Sequence, residues 1–429
     1  MLLAAIVCAA GAAGCTTPIK QPLLTLPQQR LNVESFDYIW TTISEQHYDP
    51  AFGGLDWQAV RDELRPKIKN TRTMAEARVI IRDMISRLKL SHFSIIPGNL
   101  YVNVDRPAPQ HAEPGVIGID IRLLDDQVIV TRVKEGRPAE KLGVRPGWRI
   151  IRIDGDNVAE KMILLEQALK EETGKNWAFT SIIQSRLTGR AGETIQVDFL
   201  DGENQTRSLE IPLVRAQGKK YKLGYLPAFY VWIKTRTIEP GIGYISFNAF
   251  FDPVNVMPVY NKAMISFMNN KGLIIDLRGN PGGIMGMIQG MASWLVDENQ
   301  VFGTMYLRDN ALQIAINPRA VTYTGPVAIL IDGLSASSAE IFAGGLQDHG
   351  RARIFGEQSA GAALPSSFAK LPNHDLFQYA FTNFRLSSGR EIEGTGVQPD
   401  VVIRQTRQTL LEGRDLVLEA AVEWIKTEE

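Results

Sequence analysis

The feature that most constrains this chain is an apolar strand that ends in a glycine-rich turn. Residues 272–277 read Gly-Leu-Ile-Ile-Asp-Leu, and the chain then continues as Arg-Gly-Asn-Pro-Gly-Gly up to Gly283. A short apolar run bounded by glycine predicts a buried strand. Because the glycines carry no side chains, the turn leaves backbone N–H groups uncovered, which a site that binds an oxyanion requires.

A second informative segment, 334–341, reads Leu-Ser-Ala-Ser-Ser-Ala-Glu-Ile and opens a helical pattern. Serine at a helix N-terminus lies where the helix dipole and free N–H groups favour negative charge. Ser337 and Glu340 have the spacing of a capping box, so a purely structural role is one interpretation. The other is a serine nucleophile for acyl transfer, with Gly282 or Gly283 supplying one oxyanion N–H and Ser338 the other.

Composition narrows the classes of function. The chain has 429 residues, 22% of them charged, and a formal net charge of −1, so it is long enough for two or three domains and shows no basic stretch for nucleic acid. Both cysteines, Cys8 and Cys15, lie in the first fifteen residues. Disulfides, thiolate metal sites and cysteine nucleophiles are therefore excluded from the folded part, and we expect neither a metal nor a cofactor.

Residues 1–15 form an apolar run followed by small residues, which is typical of a secretory signal. The stretch from Ala12 to Cys15 resembles a bacterial lipobox, in which Cys15 is the acylated residue. A plain export signal is the alternative, since no Lys or Arg precedes the apolar run and Ala12 stands where leucine is usual. We expect an exported lipoprotein on the periplasmic side of a bacterial membrane, with no contact to the membrane except this anchor.

The remaining sequence divides into four regions by pattern. Residues 16–30 are rich in Pro, Thr and Gln and predict a tether. Residues 31–105 have apolar positions at helical spacing and predict a small helical domain. Residues 113–215 contain short β-branched runs separated by Gly, Pro and Asp, which predicts a β-domain. From 220 to 429 strands alternate with helices, as in an α/β layer structure, and the amphipathic tail 410–426 is expected to pack back on it.

The β-domain resembles a PDZ domain in the segment 136–147 and the Asp-Gly hairpin that follows. The resemblance implies binding of extended peptides by strand addition, with a terminal carboxylate held in a backbone nest. That nest would comprise Gly115, Val116, Ile117 and Gly118. A domain used only for packing is the alternative, and the long helical stretch 157–190 departs from the PDZ pattern and would cover the groove.

From residue 31 to its end the chain resembles the C-terminal processing, or tail-specific, proteases of peptidase family S41. The motifs that carry the resemblance are 276–283, 335–341, 356–359 and 396–400. It implies a multi-domain α/β fold with an N-terminal helical domain, a PDZ-like β-domain and a ClpP/crotonase-like α/β serine protease core. It also implies a serine endopeptidase that acts on proteins or peptides, with Ser337 as nucleophile.

One departure from the family matters for the choice of base. The Ser-Lys branch has a lysine where this chain has Ala362, and Lys370 is displaced from that position. The tricorn-like branch uses a Ser-His pair instead. Its residues correspond here to a tetrad in which His92 takes the proton from the nucleophile and two further groups orient the imidazole; its members are Ser91, His92, Ser337 and Glu393.

Other histidines are weaker candidates for the base. His47, His111 and His374 lie in turn or proline-rich sequence and are expected on the solvated surface. His349 stands at a predicted helix C-terminus, where a cation is favoured. His92 precedes the PDZ-like domain and Ser337 follows it, so a tetrad requires the helical domain to pack on the core with the PDZ-like domain inserted between them.

Two further classes of function stay open. A catalytically inactive peptide-binding scaffold is favoured by the missing lysine and opposed by the retained Ser337, His92 and Glu393. Another acyl-transfer enzyme on a crotonase-like core is the third, and the sequence contains no nucleotide or coenzyme A motif that would support it.

Overall fold

The N-terminal region is helical. The structure, a computed structural model, describes residues 22–98, 113–168, 175–226, 228–239 and 241–428. Its first elements are α1 (Leu26–Gln46), α2 (Trp57–Lys69), α3 (Met74–Ser86) and strand β1 (Ser94–Ile96). The predicted tether 16–30 is wrong at its end, because α1 already begins at Leu26 with Thr25 as N-cap. Cys15 and His111 lie outside the described residues.

The three helices form around one apolar core because each places its apolar residues on a single side. Phe36, Leu64 and Ile81, one from each helix, are fully buried in a common cluster. Side-chain oxygens of Asp56 and Thr73 accept backbone N–H groups at the starts of α2 and α3.

The second region is a β-domain with three helices. Its strands are β2 (Pro114–Val116), β3 (Ile119–Leu124), β4 (Gln127–Val133), β5 (Arg149–Ile153), β6 (Asp156–Asn157), β7 (Thr188–Arg190), β8 (Thr194–Leu200), β9 (Thr206–Pro212) and β10 (Val214–Arg215). Its helices are α4 (Pro138–Lys141), α5 (Val158–Ala168) and α6 (Lys175–Arg186). The main sheet has the order β3-β4-β5-β8-β9, which leaves one side of β3 without a partner strand among the described residues.

The predicted carboxylate nest is corrected by this topology. Gly115 and Val116 belong to β2, which pairs with β7 on one side and β10 on the other. Their backbone groups are therefore committed to a sheet. Ile117 and Gly118 remain, and the positive φ of Gly118 (91°) turns the chain into the open strand β3.

The third region is the α/β core. Its strands are β11 (Lys219–Tyr221), β12 (Phe229–Val231), β13 (Ile233–Glu239), β14 (Ile242–Phe247), β15 (Gly272–Asp276), β16 (Gln300–Tyr306), β17 (Ala311–Ile316), β18 (Val327–Ile331), β19 (Arg353–Gly356), β20 (Ser366–Lys370), β21 (Leu376–Ala380), β22 (Asn383–Leu386) and β23 (Val401–Val402). Its helices are α7 (Pro253–Phe267), α8 (Met285–Ala292), α9 (Ser338–Asp348), α10 (Arg407–Leu411) and α11 (Leu416–Thr427).

The central sheet has the order β13-β14-β15-β18-β19-β23, and β14 to β23 run parallel. Strands β14, β15 and β18 are buried along their whole length, as expected for a sheet that is covered on both faces. Helices α7, α8 and α9 cover one face. The predicted amphipathic tail forms two helices rather than one, α10 and α11, and α11 covers the other face through Val417, Ala421 and Ile425.

The helical region packs on the core, as the tetrad requires. Strand β1 pairs with β21, and Leu371 and Phe377 of the core lie in the same apolar cluster as the helices. Arg78 of α3 forms two hydrogen bonds with Asp375, whose side chain is 1% exposed. An apolar cluster and a buried, doubly bonded ion pair together hold the helical region in one orientation on the core.

The β-domain also contacts the core through charged pairs. Arg122 of β3 binds Asp332 at 2.7 Å, and Arg132 of β4 binds Asp276 at 3.2 Å.

The three regions together confirm the predicted fold class, whereas the domain limits 31–105, 113–215 and 220–429 stay a prediction. None of the helices in the described part of the chain has the length and apolar character needed to cross a membrane.

Candidate active site

Three neighbouring parallel strands deliver three loops to one edge of the central sheet. In the register, Asp276 of β15 lies beside Leu330 of β18, and Ile331 of β18 lies beside Gly356 of β19. The strands are followed by the glycine turn (277–283), the serine turn (332–337) and a bridging segment (357–364). Because the carboxyl ends of parallel strands meet at one edge, these loops are adjacent although they are far apart in sequence.

Ser337 occupies a strained position between β18 and α9. Its backbone has φ 54° and ψ −122°, outside the regions that L-residues normally adopt. A serine held in a sharp turn between a strand and a helix is the geometry of a nucleophile elbow. The flanking serines have other contacts: Ser335 Oγ donates to the carbonyl of Leu277 at 2.8 Å, and Ser338 Oγ donates to that of Gly283 at 2.8 Å.

Of the two oxyanion donors predicted in the glycine turn, Gly282 and Gly283, only Gly283 has a free N–H among the described residues. The N–H of Gly282 donates to Asn280 Oδ1 at 2.9 Å, so it is not free to bind an oxyanion. Gly282 serves close packing instead, since a Cβ there would lie 2.7 Å from the Cβ of Ser337. The amides of Gly283 and Ser338 have no acceptor among the described residues, and the Ser338 hydroxyl ties these two residues together.

Three of the predicted tetrad residues are joined by hydrogen bonds. Ser91 donates to Glu393 from its amide at 2.7 Å and from its hydroxyl at 2.9 Å, and His92 Nδ1 lies 2.7 Å from Ser91 Oγ. The hydroxyl has one proton, which it gives to the carboxylate, so Nδ1 of His92 must be the protonated ring nitrogen. This tautomer leaves the lone pair on Nε2, as a general base needs.

Burial keeps the imidazole of His92 neutral. Burial lowers the pKa of His92 to about 4, so its imidazole is uncharged at neutral pH. Burial also raises the pKa of Glu393 above its usual range, although the amides of Ser91 and Ala363 act in the opposite direction. His92 has a positive φ of 60°, and Ser337 also has a positive φ, so both side chains are carried by strained backbone.

Ser337 and His92 are not joined by a hydrogen bond in the described structure. They are connected through the bridging segment: the Ser337 amide donates to the carbonyl of Ala362 at 2.8 Å, and the next amide, Ala363, donates to Glu393 at 3.0 Å. Catalytic hydrogen bonds in unliganded enzymes are often long and tighten when substrate binds. Ala362, which stands where the Ser-Lys branch has a lysine, thus belongs to this connection through its backbone.

The other histidines and the lysine considered as bases make contacts elsewhere in the structure or are exposed. His47 was predicted to be solvated, but it is 2% exposed and stacks on Tyr48 and Phe93. His349 packs on Phe302, and its Nε2 lies 3.0 Å from the carbonyl of Val301. His374 and Lys370 are exposed, His374 as predicted.

Sequence reasoning missed most of the contacts of Glu340, which it treated only as a capping partner. The capping-box spacing does predict the contact between its carboxylate and the Ser337 amide, which measures 2.9 Å. Its contacts with the bridging segment depend on the strand order β18-β19 and left no signal in the sequence. Within the described residues no group of three or more His, Cys, Asp or Glu side chains could hold a metal ion.

Sequence profiles of known families match three parts of the chain. Peptidase family S41 matches residues 241–403, the Tricorn protease C1 domain matches 33–86, and a PDZ domain matches 115–182. This chain carries a serine-type peptidase domain of family S41. The predicted resemblance to family S41 is confirmed for these parts of the chain.

The relatives are distant. The carboxy-terminal-processing protease of Bartonella bacilliformis is 25% identical over 81% of this chain and 74% of its own length. A CtpA-like serine protease of Staphylococcus haemolyticus is 25% identical over 67% of this chain, which spans 52% of that protein. A solved photosystem II D1 C-terminal processing protease shares the fold, with a TM-score of 0.58, 22% identity, and coverage of 92% of this chain and 99% of that one.

We predict that Glu393→Gln reverses the hydrogen-bond chain. The amide NH₂ would donate to Ser91 Oγ, the hydroxyl would donate to Nδ1, and the proton would move to Nε2, the wrong nitrogen. The loss of this orienting group is expected to lower kcat by at least about thirty-fold, or about 2 kcal/mol.

Glu391→Gln is the matched control, since that side chain is 42% exposed and pairs with Arg385. Its kcat should stay within about three-fold of the parent. Similar losses at both positions, or a collapse of the melting temperature at Glu393 alone, would contradict the orienting role.

Proposed function

We propose that this protein is a serine endopeptidase that works through Ser337, His92, Ser91 and Glu393. The observation that carries the proposal is the meeting of a strained serine with two uncommitted amides at the end of a parallel sheet. Strain at a single residue is costly, about 1–3 kcal/mol, and persists where function uses it. The hydrogen-bonded Ser91, His92 and Glu393 supply a neutral base of the required tautomer.

The geometry supports acyl transfer in two steps. As Ser337 Oγ attacks the scissile carbonyl carbon, Nε2 of His92 takes its proton, and the carbonyl oxygen receives the N–H groups of Gly283 and Ser338. The imidazolium is stabilised through Ser91 by Glu393 and then protonates the leaving amine. Water attacks the acyl-enzyme in the reverse proton sequence and releases the carboxylic acid.

A non-catalytic peptide-binding scaffold is the second candidate. Two observations favour it: Ala362 stands in place of a lysine, and no hydrogen bond joins Ser337 to His92 in the described residues. A scaffold would not need a strained serine beside free amides, and this difference makes the two candidates separable by reactivity.

We predict that a fluorophosphonate probe labels the wild-type chain at Ser337. Ser337→Ala should abolish both labelling and peptide hydrolysis with little change in melting temperature, because hydrogen bonds of the Ser337 amide and carbonyl hold the turn. Ser335→Ala and Ser338→Ala are the comparison variants. Peptide mapping that finds the label on another serine would refute the nucleophile, and a wild-type chain that never labels would favour the scaffold.

We propose that the PDZ domain presents substrate C-termini, since two of the relatives described above are C-terminal processing proteases. Strand β3 has an open edge beside α6, and the apolar pocket between them is lined by Ile121, Leu123, Val128, Met162, Phe179 and Ile183. A peptide added to β3 would place an apolar last residue there and its carboxylate near Ile117 and Gly118.

We expect a protein substrate with a free, apolar C-terminus to be cleaved at lower KM than the same substrate with an amidated C-terminus. The difference should be about ten-fold, since one charge-assisted contact contributes about 1.5 kcal/mol. A short peptide that spans only the active site is the control, and its KM should be the same with a free and with an amidated C-terminus. Equal KM values for the two long substrates would mean that the PDZ domain does not bind the substrate C-terminus and serves only for packing.

Export and lipidation are proposed from the N-terminal run alone. In a bacterial host, Cys15→Ser should abolish incorporation of radiolabelled palmitate and release the protein from the membrane fraction. Cys8→Ser is the control and should leave both unchanged. Palmitate that persists in Cys15→Ser would refute the lipobox.

A further inference from the structure

Glu340 is a fully buried carboxylate with more partners than a helix cap needs. It is 0% exposed and accepts hydrogen bonds from the amide of Ser337 at 2.9 Å, the hydroxyl of Ser359 at 2.6 Å, and the amides of Gly361 at 2.8 Å and Ala362 at 3.0 Å. A capping box requires only the first of these. The other three reach into the bridging segment, which belongs to a different strand end.

These contacts continue directly into the tetrad. The amide after Ala362, that of Ala363, donates to Glu393 at 3.0 Å, so consecutive amides of one segment are bound by two carboxylates. The Ser359 hydroxyl also accepts the amide of Val397 at 2.6 Å, in the loop that follows Glu393. The amide of Gly394 donates to the carbonyl of Gly361 at 2.8 Å and closes the network.

We propose that Glu340 is a positioning residue for the peptidase reaction, which holds the bridging segment against the serine turn and so sets Glu393, Ser91 and His92 at the correct distance from Ser337. It contacts neither substrate nor the reacting atoms. The inference rests on the proposed function, since it needs Ser337 to be the nucleophile and His92 the base.

The contacts require the ionised carboxylate. Every group that faces Glu340 is an uncharged donor, namely three amides and one hydroxyl, whereas the ionisable Glu393 contacts the neighbouring amide of Ala363 instead. A carboxylate accepts on both oxygens, but a carboxylic acid must donate from one of them. Protonation would therefore set a donor against donors and break at least one contact in the network.

Protonation is within reach near neutral pH, because burial raises the pKa of Glu340 to about 7 although the Ser359 hydroxyl and the amides oppose this. His92 is neutral above about pH 4. The loss of activity on acidification should thus begin near pH 7, where Glu340 gains its proton, rather than in the lower range of His92.

Stability should change in the opposite direction across the same window. The pKa of Glu340 is higher in the folded chain, about 7, than the ordinary value of 4.5. The folded state then binds the proton more tightly, so its contribution to stability is complete below about pH 4.5 and is lost as the pH rises through 7. A residue that only supported the fold would make activity and stability fall together.

The test is Glu340→Gln, which keeps the shape of the side chain and removes its charge. At pH 8 we expect kcat/KM and the rate of fluorophosphonate labelling to fall about 100-fold, as for a small misplacement of catalytic groups. The melting temperature at pH 8 should equal or exceed that of the wild type. The step in activity near pH 7 should disappear from the variant.

Two further variants make the result specific. Glu357→Gln removes a half-buried carboxyl from the same segment, whose pKa burial also raises, and should stay within about three-fold of the parent. Ser359→Ala removes a donor that stabilises the Glu340 carboxylate, so it should move the activity step to higher pH.

The outcomes separate this inference from the proposed function. If Ser337 is labelled in the wild type but Glu340→Gln keeps the full rate and the step near pH 7, the positioning role is overturned and the peptidase stands. Should Glu340→Gln fail to fold, an unmoved step in Ser359→Ala overturns the inference equally. A wild-type Ser337 that takes up no probe at any pH overturns both.

Discussion

The parallel pairing of β15, β18 and β19 is the constraint on which the site depends. Adjacent parallel strands end at one edge of the sheet, so the glycine turn, the serine turn and the bridging segment must be neighbours. The strain at Ser337 is tolerated because its turn is fixed by the sheet below and by hydrogen bonds from Ser335 and Ser338 to the glycine turn. If one strand shifted in register, Ser337, the free amides of Gly283 and Ser338 and the carboxylate network would all separate.

The proposed base, His92, reaches this edge from another part of the chain. The helical region is held on the β20–β21 hairpin by strand β1, a shared apolar cluster and the Arg78–Asp375 pair. Its last turn presents Ser91 and His92 to Glu393. The absence of a lysine at position 362 is therefore compatible with the proposed catalysis, because the amide and carbonyl of Ala362 belong to the hydrogen-bonded segment between Ser337 and Glu393.

Much of this could be predicted from the sequence, since apolar periodicity, glycine turns and capping signals are local. They located the central strands, the serine turn and the three-part fold. Two kinds of error came from non-local contacts: Gly115 and Val116 are committed to a central strand, and His47 is buried by aromatic residues from separate segments. The error at Gly282 is local, because its N–H donates to the side chain of Asn280 two residues earlier. The three contacts of Glu340 with the bridging segment were likewise invisible, because they depend on which strand lies next to β18.

The most direct test of the account is a crystal structure of the chain after reaction with a fluorophosphonate. We expect phosphorus on Ser337 Oγ and one phosphonyl oxygen about 2.7–3.1 Å from the amides of Gly283 and Ser338. We also expect His92 Nε2 to turn towards the adduct while Nδ1 keeps its contact with Ser91. An adduct whose oxygen points to solvent, or one with His92 remote from Ser337, would contradict the claim that these strand ends and the helical region form one catalytic site.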